Sequence, residues 1–171
     1  VLCHVYGGPQ APVVRNRWGG STYLWHQYLA QQGYVIWISD NRASTHEGVR
    51  SAWTIHKQMG QTELRDLEDG INWLSRNSWI DRKRIGIWGW SYGGYLVSYA
   101  MTHSNLFRAG IAGAPVTDWR NYDAIYTERY MGLPKENQEG YKTASPVHAA
   151  ARLHGRLLLI HGALDDNVHL S

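Results

Sequence analysis

Gly89-Trp90-Ser91-Tyr92-Gly93-Gly94 sets a serine among small residues, between the apolar run Arg84-Ile85-Gly86-Ile87-Trp88 and the apolar stretch Tyr95-Leu96-Val97-Ser98-Tyr99-Ala100-Met101. G-x-S-x-G between a strand and a helix is the spacing of a nucleophile elbow. The glycines are there for steric reasons: so sharp a turn strains the serine backbone, and only small neighbours let strand and helix close up. Such a turn holds the Ser91 hydroxyl clear of the sheet, with backbone N–H groups at a helix N-terminus ready for a developing oxyanion. A serine hydroxyl is a weak nucleophile near neutrality and needs a base, which an acid orients. A second stretch could supply the acid: His161-Gly162-Ala163-Leu164-Asp165-Asp166-Asn167-Val168 follows the apolar run Leu157-Leu158-Leu159-Ile160. Asp165 then sits on a loop at a strand's C-terminal end, as a triad acid or as an exposed loop carboxylate.

The elements that must position these residues are legible as periods. Val1 to Tyr6 reads as a strand stopped by Gly7-Gly8-Pro9, and Thr22 to Gln32 as a helix stopped by Gly33. Tyr34 to Ser39 is a continuous apolar run, expected for a parallel strand buried on both faces. Asp40 to Gly60 shows no clear period and reads as a long surface loop. Leu64, Leu67, Ile71 and Leu74 form one apolar helical face, with Glu63, Arg65, Asp66, Glu68 and Asp69 assigned elsewhere on the helix. Ala109 to Ala114 and Leu157 to Ile160 are the remaining strands, separated by a loop-rich aromatic segment with short helices, Thr117 to His154. Strand alternating with helix makes an α/β chain with a mostly parallel sheet flanked by helices, whose chemistry gathers at the C-terminal strand ends.

In α/β-hydrolases the triad runs Ser, then Asp or Glu, then His along the chain. Here only His169 follows Asp165, and it is too close in sequence to come from a separate loop. His4, His26, His46, His56, His103, His148, His154 and His161 all precede the acid. The expectation is therefore that the base lies beyond Ser171. The chain opens at Val1 inside a strand and reads as a single partial catalytic domain, 1–171, expected to be inactive alone.

Composition excludes other classes. The chain is 43% hydrophobic and 18% charged with a net charge of +3, and its lysines and arginines are scattered, which argues against nucleic-acid binding. Its one cysteine, Cys3, has no partner for an internal disulfide. No apolar run is long enough to cross a bilayer, no cluster has metal-ligand spacing, and Gly7-Gly8 lacks the dinucleotide-binding pattern, so neither metal nor cofactor is expected.

Three blocks taken together carry a resemblance: Gly89 to Gly94, Tyr122 to Pro134, and His161 to His169. They resemble the dipeptidyl peptidase IV branch of the prolyl oligopeptidase family of serine peptidases, over nearly the whole chain. The resemblance implies the α/β-hydrolase fold, an acyl-enzyme mechanism and release of N-terminal X-Pro or X-Ala dipeptides from a peptide substrate. It assigns Ser91 as nucleophile, Asp165 as acid, and Tyr6 with the Tyr92 N–H as oxyanion donors. Val116, Trp119, Tyr122, Tyr126 and Val168, with Tyr92, would wall the pocket for the residue before the scissile bond, and Asn167 would bond a substrate carbonyl. Read without it, Tyr6 is a strand-end aromatic, Trp119, Tyr122 and Tyr126 are core aromatics, and Asn167 is a loop amide.

The resemblance also implies an N-terminal β-propeller and a homodimer in the full-length protein. It implies a periplasmic, secreted or membrane-anchored setting while leaving a cytoplasmic one open. The family's propeller acids that hold the substrate amino group have no counterpart here, and Ala43 stands where the family often has glycine, which puts the local loop conformation in question. Three alternatives stay open: an acylaminoacyl peptidase or oligopeptidase, a carboxylesterase, and a non-catalytic protein of hydrolase fold.

Overall fold

The computed structural model describes residues 1–45 and 47–170. His46, one of the histidines weighed as a base, and Ser171 lie outside the described residues. Five strands are described: β1 (Leu2–His4), β2 (Ile36–Ile38), β3 (Gly86–Trp90), β4 (Ala109–Gly113) and β5 (Arg156–Ile160). The helices are α1 (Gly20–Gln31), α2 (Val49–Ala52), α3 (Gln61–Leu74), α4 (Tyr92–His103), α5 (Ala124–Met131) and α6 (Gln138–Thr143). The strands form one parallel sheet in the order β2-β1-β3-β4-β5.

Register fixes which residues share a face. Cys3 pairs with Trp37 and Ile87, while His4 pairs with Ile38 and Trp88. Successive side chains alternate between faces, so these two rows point opposite ways. The Cys3–Ile87 row meets α3 and α4, and a Cβ on Gly110 would press on Val97 and Met101 of α4. The His4–Trp88 row meets α1: the His4 ring stacks on Trp88 with centroids 4.2 Å apart, and Trp25 and His26 meet Trp88 edge-on. Leu64, Leu67, Ile71 and Leu74 of α3 are all buried, as their spacing predicts. Burying each contributes on the order of 1.5–3 kcal/mol.

Three expectations need correcting. β2 is an edge strand with Ile38 exposed, so its apolar run does not signal burial on both faces. The span read as loop from Asp40 to Gly60 contains α2 and a 3-10 turn at Trp53–Ile55, too short to show a period. Glu63, assigned away from the core face, is completely buried. Cys3 is a buried free thiol, its pKa pushed up to about 12 by burial. Ala43 is buried with no positive φ, so alanine fits where a glycine was expected. Among the described residues no helix is long and apolar enough to cross a membrane, and no group of histidine, cysteine and carboxylate residues could hold a metal ion.

Candidate active site

β3 runs into α4 through Ser91, which has φ 57° and ψ −117°. That left-handed backbone is one an L-residue holds only when its surroundings enforce it. Here they do. Ser91 N–H donates to Gly113 O of β4 at 2.8 Å, and Ser91 O accepts from Tyr95 N–H at 2.9 Å. Gly89 and Gly93 let β1 pass: a Cβ on either would overlap the Val5 carbonyl oxygen, and one on Gly94 would overlap Gly113 O. Tyr92 opens α4, so its N–H has no intrahelical acceptor and is free to donate into the site.

Tyr6 follows β1, whose pairing with β3 is prolonged by Val5 N–H donating to Trp88 O at 3.0 Å. This brings the Tyr6 phenol beside Ser91, with its ring 6.1 Å from that of Tyr92. Partial burial raises the Tyr6 pKa, the nearby Tyr122 adds to the rise, and the neighbouring Ser91 hydroxyl opposes it. Tyr6 is thus neutral near pH 7 and has a proton to donate. The strand end is held from behind: buried Asn41 donates to Gly7 O at 2.9 Å and accepts from the N–H groups of Ala43 and Ser44.

The aromatic box is assembled by short capped turns. The Asp118 carboxylate accepts from Arg120 N–H at 3.0 Å, capping the 3-10 turn Trp119–Asn121 and fixing Trp119, which is 1% exposed. Asp123 caps α5 by accepting from Tyr126 N–H at 2.8 Å. Ring centroids then lie 5.4 Å apart for Tyr92–Trp119, 5.8 Å for Trp119–Tyr122, 6.1 Å for Trp119–Tyr126 and 5.6 Å for Tyr122–Tyr126. Val116 and Val168 are buried. The Tyr122 hydroxyl donates to Asn167 Oδ1 at 3.3 Å, which joins the box to the loop after β5.

That loop closes on Asp165. Its Oδ1 accepts from Asn167 N–H at 3.0 Å and Val168 N–H at 2.9 Å, and these bonds, Val168's first, hold the carboxyl pKa below its usual value. His161 braces the loop, its Nε2 2.7 Å from Val168 O and 3.6 Å from Asp165 Oδ2. No described histidine hydrogen-bonds the Ser91 hydroxyl. His4 of β1 packs against His26 of α1, and His148 lies against Asp118 and Ser145.

Sequence reasoning passed over three residues beside the site. Trp90 presents an exposed indole next to Ser91 and lies across Gly113, where a Cβ would overlap its ring. Asn41 carried no readable signal. Glu63 did, in the Gly60 to Glu63 spacing, which lets the third helical residue's carboxylate accept from the N-cap N–H. Oδ or Oε acceptors of this kind are easily taken for solvated charge.

The model of the prolyl oligopeptidase family matches residues 21–171. The chain belongs to the prolyl oligopeptidase family. Among its relatives, dipeptidyl peptidase 8 of Homo sapiens is 48% identical over 98% of this chain and 19% of the relative, and that of Mus musculus is 47% identical over the same shares. The crystal structure of Porphyromonas gingivalis dipeptidyl peptidase 4 superposes with a TM-score of 0.93 at 42% identity, covering 98% of this chain and 24% of that one. The parallel sheet and its flanking helices therefore form the α/β-hydrolase fold of this family. The chain spans about a fifth of the length of these curated relatives.

Proposed function

We propose that this is the catalytic domain of a serine peptidase of dipeptidyl-peptidase type, which removes N-terminal X-Pro or X-Ala dipeptides through an acyl-enzyme. The observation that carries the proposal is the Ser91 turn, with the Tyr6 phenol beside it and a ring-lined box beginning at the next residue.

Ser91 Oγ attacks the carbonyl carbon of the residue before the scissile bond, and its proton passes to a histidine that the full-length protein supplies outside these residues. The Tyr6 O–H and the Tyr92 N–H donate to the oxyanion. The histidine then returns the proton to the leaving amine as the C–N bond breaks, leaving the dipeptidyl ester on Ser91. Water, deprotonated by the same histidine, releases the dipeptide and restores the hydroxyl. Asp165 holds that histidine in the tautomer the transfers require. Trp119, Tyr122, Tyr126 and Tyr92, with Val116 and Val168, accept a pyrrolidine or methyl side chain against rigid ring faces, and Asn167 bonds a substrate carbonyl. In the full-length protein this domain works with an N-terminal β-propeller, which holds the substrate amino group, and in a homodimer.

Turnover of Gly-Pro and Ala-Ala anilides by the full-length protein, compared with N-acetyl-Ala anilide and short-chain esters, tests the assignment. The free-amino dipeptide anilides are expected to be the best substrates. Preference for the N-acetylated anilide would move the protein to the acylaminoacyl branch, preference for esters to a carboxylesterase, and no turnover of any to a non-catalytic role.

A further inference from the structure

Glu63 is a carboxylate in the core, with no exposed surface. It is the third residue of α3, and both its oxygens accept from the N–H of Gly60, each at 3.0 Å. Its Oε1 also accepts from the Tyr92 hydroxyl at 2.6 Å. The described ion pairs include none to Glu63. The titratable groups facing it are Tyr92, Tyr95 and Tyr99 of α4, Tyr126 of α5 and Asp66 of its own helix.

A buried carboxylate without a cation is costly, and burial pushes this one's pKa up, against the pull of the Tyr92 and Gly60 bonds. Partial compensation comes from the N-terminus of α3, where the peptide dipoles favour negative charge, and from a short charge-assisted O–H···O bond. Gly60 permits the close approach: its φ is +92°, and a Cβ there would stand 2.5 Å from the Tyr95 hydroxyl. An apolar side chain would fill the space without the desolvation cost, but it would leave Tyr92 untethered.

Tyr92 is held at one end by the Ser91 turn and at the other by this carboxylate. Its ring stands 5.4 Å from Trp119 in the box, and its N–H opens α4 beside Ser91. We infer that Glu63 is a positioning residue for the reaction. By anchoring the Tyr92 hydroxyl it fixes both the N–H that meets the oxyanion and the ring that meets the side chain before the scissile bond. The inference rests on the reading of Ser91 as nucleophile.

The test uses the full-length protein with Glu63→Gln, Tyr92→Phe and the double variant, with active sites counted by fluorophosphonate labelling at Ser91. With Gly-Pro anilide, each single variant is expected to lower kcat per labelled site by about ten- to a hundredfold, the loss that a misplacement near 1 Å brings. The double variant is expected to lose no more than the worse single, since one change weakens and the other removes the same bond. A kcat per labelled site within about twofold of wild type, even with a lowered Tm, would reduce Glu63 to a structural role and overturn the inference, as would losses that multiply. Should Glu63→Gln fail to fold, Tyr92→Phe keeps the ring and decides alone, an unchanged kcat being the contrary result. A wild-type protein with neither labelling nor turnover would instead overturn the nucleophile reading, and this inference with it.

Discussion

At the scale of single residues, the site depends on a proton held in the right place at neutral pH. The Tyr6 phenol stands beside Ser91 and is raised in pKa by partial burial, so it stays protonated where the proposed oxyanion needs a donor. Tyr6→Phe keeps the ring against Tyr92 and removes only that donor. It is expected to lower kcat by about two to three powers of ten with little change in KM, measured on Gly-Pro anilide. An unchanged kcat would return Tyr6 to a strand-end aromatic. The strand–turn–helix at Ser91 and the loop of Asp165 after β5 were readable in the sequence because motif and apolar run mark them. Glu63 was not, because a charged residue on an amphipathic helix is ordinarily solvated. Only the tertiary contact with Tyr92 makes it a buried acceptor.

At the scale of elements, the elbow is a three-way approach of β1, β3 and α4. Gly93 faces the Val5 carbonyl, where an added Cβ would overlap backbone and lie 3.2 Å from the Tyr6 Cα. Gly93→Ala is therefore expected to push the end of β1 away, destabilising the fold by about 1–3 kcal/mol in urea unfolding. Its rate of fluorophosphonate labelling should fall as well. Wild-type stability and labelling would show that the approach is looser than the contact implies. The elbow and α3 were legible because their periods are long and clean. The edge position of β2 was not, since an apolar run of strand length looks the same whether neighbours cover one side or two. α2 is a single turn and leaves no periodic trace.

At the scale of the whole molecule, one buried titration couples pH to folding. His4 lies between Trp88 and His26, and burial, with the nearby His26, brings its pKa from 6.5 down to about 4. The folded protein thus keeps His4 neutral, whereas the unfolded chain protonates it below pH 6.5. Stability from this group is present above that pH, falls as pH drops from about 6.5 to about 4, and loses nothing further below. The Tm measured across that range should fall less steeply in His4→Phe, which retains the stack on Trp88 without a proton site. An equal slope in both proteins would exclude His4 as the cause. The parallel direction of the strands followed from their alternation with helices, but their order β2-β1-β3-β4-β5 did not. Nor did the packing of His4 against His26 of α1, because nothing local distinguishes a buried histidine from a surface one.

All of these scales bear on the proposal that Ser91 Oγ is the atom that attacks. The most direct measurement is peptide mass spectrometry of the full-length protein after reaction with a fluorophosphonate. The adduct is expected on Ser91 alone, at one per chain, blocked beforehand by a dipeptide ending in proline and absent from Ser91→Ala. An adduct on another residue, or labelling that persists in Ser91→Ala, would contradict the account.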